Sequence, residues 1–421
     1  MKTDKMLLIF LLMACNRLPE PVEQKDAVAL PLDQVAQMLS ELPMEKVHLR
    51  EVYRAVSSSS GNGYDEEYMM SDLFGSPGRG VGEEPDGGDN APDSKSVSDI
   101  RPMRELIMEY ARNRAATKAS DFNPEEWLEK LRQSDIQIYW PYSEDWDGET
   151  EPVFTYDPGD GSEVGVGWKV ETDGQGGRKV RMMEVDEKYA STHPVWVVNR
   201  NSDAGYTSLD VMRRDHPEWD NGGGALVVGG VKSSPSSAVL LSSDGNLANH
   251  CDGMSTKATS SVKTLILKDF TMKRHYDSWL AGGSEFFIKA GSVNDFVAST
   301  EAELQLYLPA VTDFMVVVKR KQLGQTLPFN TVIVSDWTPQ LTHIAFMIVE
   351  DDGGSLAQWK CSAVVKVASK SYGFDISLPF NTRDDIVWRG QLSRRYIEAT
   401  DKISGHFGDV DISFEVVDLR Y

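Results

Sequence analysis

Hydrophobic positions recur along this chain with two periods, and the change from one to the other divides it. In LPLDQVAQMLSELP, Leu32, Val35, Met38 and Leu39 return at helical spacing, which predicts a short helix that Pro43 stops. The periodicity then fades, and 31–74 reads as a short helical segment. RPMRELIMEYARNRAATK has Pro102 near its start and one apolar stripe of Met103, Leu106, Ile107 and Tyr110. FNPEEWLEKLRQ opens with Asn123 as a cap and Pro124 in the first turn. Beyond Asp135 the period becomes two. Short β-type runs over 136–140, 195–198, 225–228, 238–241 and 262–267 are separated by Gly, Asp and Ser turns.

The alternation is clearest in the C-terminal half. Leu304, Leu306 and Leu308 oppose Glu303 and Gln305; Phe374, Ile376 and Leu378 oppose Asp375 and Ser377; Val410, Ile412, Phe414 and Val416 oppose Asp411, Ser413 and Glu415. Half-buried antiparallel strands carry this pattern. The expected fold is mainly β, with antiparallel β-sandwich units preceded by short helices and a disordered linker. In order, the chain reads as a leader (1–14), a polar tether (15–30), the helical segment (31–74), a flexible linker (75–98), an α+β region (99–232) and an antiparallel sandwich (233–421). The linker is rich in Gly, Pro, Asp and Ser, which bury too little apolar surface to offset ordering entropy. No fixed-period repeat is present, which disfavours a propeller or solenoid.

The N-terminal leader has its own logic. Lys2 and Lys5 precede an apolar run from Met6 to Ala14, too short for the roughly 20 residues that a spanning helix needs. A basic start, a short apolar middle and a small residue before the cut make a signal peptide. The closing Leu12-Met13-Ala14-Cys15 resembles the lipobox of bacterial lipoproteins, which implies acylation of Cys15 as the first mature residue. In that family an aspartate after the cysteine retains the protein at the inner membrane. Asn16 stands there instead, which implies the outer membrane, facing periplasm or cell surface. The resemblance covers about fifteen residues. Multiple acyl chains, at about 0.8 kcal/mol per buried methylene, would make the membrane the durable partner.

Composition narrows the partners further. Of 421 residues, 65 are acidic and 43 are Lys or Arg, a formal charge of −22 that opposes binding to nucleic acid. Hydrophobic content of 40% suffices for a core. Besides Cys15, only Cys251 and Cys361 remain, an even pair able to close one disulfide. Yet Cys361, Ala363, Val365 and Val367 share a strand face, so Cys361 points into a core and buried free thiols are the stronger expectation.

Candidate chemistry is sparse. In NRNSDAGYTSLD, Asn199, Asn201, Asp203 and Asp210 occupy the first, third, fifth and twelfth places of a calcium loop, although Ala204 replaces the turn glycine and a strand leads in. A polar turn is the alternative. Strand counting brings the loops after 342–349 and 374–380 to one end, the first carrying Glu350, Asp351 and Asp352 and the second Asp384 and Asp385, and there Asp351, Asp352, Asp384 and Asp385 could hold calcium. About the last 120 residues resemble a C2-type sandwich in this respect, a fold that clusters aspartates from its end loops around calcium. Neutralisation by Lys319, Arg320 and Lys321 is the competing account.

The stretch IYWPYSEDWDGETEP places Tyr139, Trp140, Tyr142 and Trp146 among Glu144, Asp145 and Asp147. Exposed, these would suit sugar binding or glycoside chemistry; packed on the Pro124 helix, they would be core. The seven histidines form no zinc pattern, and Ser260 and Lys263 match a serine–lysine acylase spacing only at the start of a strand. The expectation is therefore a lipid-anchored envelope protein with a non-enzymatic binding or assembly role and a glycan or envelope-protein partner. A glycan- or peptide-acting hydrolase using carboxylates near Asp145 and a calcium-stabilised adhesion module are the alternatives.

Overall fold

The computed structural model describes residues 30–74, 101–117, 122–172, 177–201, 206, 208, 261–399 and 404–420. The leader, the expected linker and the runs at 225–228 and 238–241 lie outside the described residues. Within them the protein is mainly β, with antiparallel sheets and short N-terminal helices. No described helix is long and apolar enough to cross a membrane.

The first half is an α/β unit. Helices α1 (Leu32–Glu41), α2 (Lys46–Gly61), α3 (Met70–Phe74), α4 (Pro102–Thr117) and α5 (Pro124–Arg132) precede or interleave with β1 (Glu67–Met69) and β2 (Ile136–Tyr139). Then follow β3 (Val153–Tyr156), β4 (Val164–Thr172), β5 (Arg178–Asp186), the short α6 (Glu187–Ala190) and β6 (Val195–Arg200). Their sheet runs β1-β2-β6-β3-β4-β5, antiparallel except where β3 lies parallel to β6. Helix α1 stops where Leu42, forced extended by Pro43, takes ψ 136°. Asn123 caps α5 by accepting from the Glu125 and Glu126 backbone N–H groups at 3.1 and 3.3 Å. Helix α2 arises where periodicity had faded: it buries Leu49, Val52, Val56 and Ser59, a stripe that its closing serine run obscures.

The second half is a sandwich. One sheet, β10-β7-β16-β15, comprises β7 (Ser261–Met272), β10 (Leu327–Val334), β15 (Ser404–Phe407) and β16 (Val410–Arg420). The other runs β13-β12-β11-β8-β9, built from β8 (Ser284–Ser292), β9 (Ala310–Val318), β11 (Leu341–Glu350), β12 (Leu356–Val367) and β13 (Lys370–Asn381), with β14 (Asp385–Ser393) also pairing β11. Rings close the space between the sheets: Phe270 meets Phe286 at 5.1 Å and Phe346 meets Phe414 at 5.7 Å. Such pairs contribute about 0.5–1.5 kcal/mol beyond the area they bury. Strands β13 and β16 follow the expected alternation, with Ile376, Leu378, Val410, Ile412 and Phe414 buried.

One expected strand does not form. Glu301–Leu306 is a 3₁₀ turn, leaving Leu306 and Leu308 78% and 82% exposed. The alternation there is cancelled locally, because Glu303 accepts from the Ser299 N–H and the Thr300 hydroxyl and so winds the backbone into a turn. Leu304 alone packs against the core.

A two-residue turn, Gly408-Asp409, joins β15 to β16, and Gly408 holds φ 62°. A Cβ there would lie 2.5 Å from the Val387 carbonyl oxygen as well as in the left-handed region. Gly408→Ala is therefore expected to destabilise by about 2 kcal/mol or more. Equilibrium unfolding in urea checks this, and a change below about 0.5 kcal/mol would remove the argument.

Candidate functional site

Strand β11 carries Ile344, Phe346, Ile348 and Glu350 on one face, so the alternation that sends three apolar side chains inward sends a carboxylate inward at its end. Glu350 is 0% exposed, and neither of its oxygens has a hydrogen-bond donor. Oxygens from Asp277, on the segment between β7 and β8, and from Glu285, at the start of β8, lie with one of Glu350 within 4.8 Å of one another. Burial first, then a carboxyl–carboxylate hydrogen bond with Asp277 and the Asp277, Glu285 and Asp352 charges, push the Glu350 carboxyl far above its usual range. Burial also raises Asp277, against the opposing hydrogen bond with Glu350 and the Arg320 charge.

The loops after β11 and β13 meet at this end, as strand counting expects. Asn381 Nδ2 donates to Asp351 Oδ1 at 2.9 Å, the Asn381 N–H to Asp384 Oδ2 at 2.6 Å, and the Asp352 N–H to Asp384 Oδ1 at 3.3 Å. Asp351 is buried with Oδ2 unpartnered. Burial and the neighbouring acids push Asp352 up to about 7 and Asp384 up to about 6. Asp385 opens β14 opposite Glu350 and adds negative charge to Asp277 and Asp352.

The basic run that could neutralise these acids makes its side-chain ion pairs elsewhere, although Arg320 stays close enough to Asp277 to lower its pKa. Arg320, buried, grips Glu187 through Nε and Nη2 at 2.8 and 3.0 Å and donates Nη1 to the Asp277 carbonyl at 2.9 Å. Burial raises the Glu187 carboxyl, but this guanidinium outweighs it and holds Glu187 below its usual value. Lys321 takes Asp145 at 2.8 Å and Glu144 at 3.2 Å, and Lys319 donates to the Ser60 hydroxyl.

The aromatic stretch divides. Tyr139 and Trp140 are core, with Trp140 against Trp196 at 5.5 Å, while Tyr142 and Trp146 are half-buried. Trp140, Tyr142 and Trp146 with Asp145, Asp147, Thr150 and the 190–194 turn line a pocket of about 210 Å³. Trp146 is fixed by its Nε1–H donating to the Thr150 carbonyl at 2.9 Å and by Trp140 at 5.2 Å. The Tyr142 hydroxyl donates to Glu187 at 3.0 Å. Asp147 accepts from Thr150 Oγ1 and from the Thr150 and Glu149 N–H groups, which hold its carboxyl down to about 2.

Tyr142 takes φ 60°, a strained conformation for an aromatic residue. Glu66 stabilises it. This buried carboxyl accepts from the Tyr142 and Ser143 N–H groups at 3.3 and 3.1 Å and from the Ser143 hydroxyl at 2.9 Å. Burial, then Glu144 and Asp65, push Glu66 up to about 9. Burial alone would raise Glu144 too, but its contacts with Glu66 and Lys321 lower it, so the proton of the pair resides on Glu66.

Of the proposed calcium loop, Asn199 gives its Nδ2 to the Leu280 and Ala281 carbonyls, and Asn201 gives its Nδ2 to Glu67 and Gln137 at 2.7 and 2.9 Å. Both amides thus brace the scaffold; Asp203 and Asp210 lie outside the described residues. Cys361 is a half-buried free thiol whose Sγ lies 3.6 Å from the Ile376 carbonyl, and burial pushes it up to about 11. Cys15 and Cys251 lie outside the described residues. Asp277, Glu285 and Glu66 escaped the reading of the sequence because their partners lie far along the chain. Glu350 had a local signal, a carboxylate at an inward position of an alternating strand.

The chain was compared with protein families, curated proteins and solved structures, and none matches.

Because the folded Glu66 pKa is raised, the native state keeps a proton that the unfolded chain releases near the ordinary glutamate value of 4.5. Its stabilisation is complete below that pH and is lost as pH rises towards 9. In Glu66→Gln the melting temperature is expected to fall less steeply between pH 5 and 9, ending roughly 2–5 °C above the unsubstituted protein at pH 9. A difference between the two that does not vary with pH would refute this assignment.

Proposed function

We propose that the protein is a lipid-anchored component of the cell envelope that binds or assembles rather than catalyses. Its membrane partner is the outer membrane, engaged through acyl chains on Cys15, and its ligand surface is the pocket walled by Tyr142 and Trp146. The observation that carries this reading is the commitment of the neighbouring carboxylates. Glu144 and Asp145 hold Lys321, and Asp147 closes its own turn. A glycosidase needs one carboxyl protonated and one free, both facing the substrate. The protonated member here, Glu66, is buried and occupied with backbone donors.

The pocket instead offers the two half-buried rings beside a polar rim of Asp145, Thr192 and His193. An apolar face with hydroxyl-bonding groups around it is what a sugar ring fits, so an envelope or host glycan is the ligand class. Tyr142 is tied through Glu187 to Arg320, which makes the pocket wall rigid without closing it.

Two measurements test the reading. Intact mass of the membrane-extracted protein, expressed with its own leader, is expected to show a chain beginning at an acylated Cys15, and Cys15→Ser is expected to abolish processing. On polysaccharide panels followed by tryptophan fluorescence, Trp146→Ala is expected to weaken binding roughly tenfold, about 1.4 kcal/mol. Glycan hydrolysis that Glu144→Gln or Asp147→Asn removes would overturn the non-enzymatic role.

A further inference from the structure

The acidic end of the sandwich carries more than surface charge. We propose that Asp277, Glu285 and Glu350 bind one calcium ion, and that the ion clamps the segment between β7 and β8 onto the β8–β11 pair. This site is distinct from the loop aspartates Asp351, Asp352 and Asp384, of which Asp352 lies near enough to act on Glu350, and it depends on neither the lipid anchor nor the Tyr142 pocket.

Three observations converge. The first is spacing: carboxylate oxygens from three separate elements lie within 4.8 Å of one another. Oxygens that each stand about 2.4 Å from a shared calcium ion are at most about 4.8 Å apart, so the observed spacing meets the requirement for one ion shared by all three. The second is Glu350, fully buried with both oxygens lacking a donor. A buried carboxylate in that state needs a proton or a cation. The third is the use of the basic run: Arg320 pairs with Glu187 and bonds Asp277 through its main-chain carbonyl, Lys321 pairs with Glu144 and Asp145, and Lys319 bonds Ser60, so none of the three makes a side-chain ion pair with Asp277, Glu285 or Glu350.

The donor chemistry selects the ion. All three ligands are hard carboxylate oxygens, with no imidazole or thiolate among them, which favours an alkaline-earth ion over zinc or copper. Magnesium requires a tight octahedron and keeps most of its water, whereas calcium tolerates irregular carboxylate sets.

The structural consequence lies two residues away. Trp279 and Leu280 are buried among Tyr139, Val153, Val195 and Val197 of the α/β unit, and Asn199 holds the Leu280 and Ala281 carbonyls. An ion that fixes Asp277 to Glu285 and Glu350 therefore fixes the segment joining the two halves. Calcium occupancy would set how firmly the α/β unit is held against the sandwich.

The test uses the full chain, stripped with chelator and titrated calorimetrically with calcium chloride or magnesium chloride alone. One calcium per chain is expected, with magnesium at least tenfold weaker. Saturating calcium is expected to raise the melting temperature by several degrees. Glu350→Gln keeps the shape and removes the buried charge, so it is expected to melt no lower than the unsubstituted protein in chelator and to lose both the heat and the calcium-induced shift. Asp277→Asn is a second variant with the same expected loss, while Asp384→Asn is expected to retain binding. No heat and no shift in the unsubstituted protein would overturn the proposal, leaving a carboxyl pair sharing a proton. Retention of full binding by Glu350→Gln, or its loss in Asp384→Asn alone, would also overturn it and move the site to the loops. Equal affinity for magnesium would overturn the choice of calcium.

Discussion

The two halves of this protein depend on a short stretch of chain between β7 and β8. Trp279 and Leu280 leave the sandwich and fill a cluster in the α/β unit with Tyr139, Val185 and Val197. Burying two large side chains is worth several kcal/mol, about 1.5–3 for each, and the backbone must be satisfied where they enter. Polar groups do this from both sides. Asn199 donates to the Leu280 carbonyl, Trp279 Nε1–H donates to the Glu163 carbonyl at 2.9 Å, and the Gly283 N–H donates to Asp65 at 2.7 Å. Side chains could not be tolerated at Gly283, where a Cβ would lie 2.9 Å from the Val318 carbonyl oxygen. The junction is thus a plug with a hydrogen-bonded collar.

Around that plug the chain resolves a problem set by its own composition. With 65 acidic and 43 basic side chains, cations are outnumbered; most of the ion pairs among the described residues are exposed, and two cations are buried in theirs. Lys289 and Asp313 form a buried pair between β8 and β9, and Arg320 locks Glu187 while holding the Asp277 carbonyl. A lone buried charge costs far more than an exposed one, so these two pairings matter more to stability than the exposed ones. What remains is a set of carboxylates that proximity and burial drive towards protonation: Glu66, Glu350, Asp352 and Asp384. Two separate sites follow from the same scarcity, one beneath Tyr142 and one at the end of β11.

The legibility of these features in the sequence was uneven. Strands β13 and β16 and helices α1, α4 and α5 were readable because one face of each meets the core, so burial imposes a period on the residues. Strand counting also brought Asp351 and Asp384 to one end, since antiparallel neighbours alternate direction whatever their side chains. The pattern misled at Leu304, Leu306 and Leu308, where Glu303 outbid a weak alternation with local hydrogen bonds. It could not separate Tyr139 and Trp140, which are buried, from Tyr142 and Trp146, which are half-buried at a pocket that Trp140 floors. All four lie within eight residues, and only the left-handed turn at Tyr142 redirects the chain.

The sequence by itself determined the class of this protein: mainly β, helices first, antiparallel strands after, strongly acidic. Those properties follow from short-range periodicity and from charge, which are written along the chain. The joining of Asp277, Glu285 and Glu350, the capture of Glu187 by Arg320, and the proton held between Glu66 and Glu144 were decided only by tertiary structure. Each joins residues from elements distant in sequence, and each depends on desolvation, which a side chain acquires only when another part of the chain covers it.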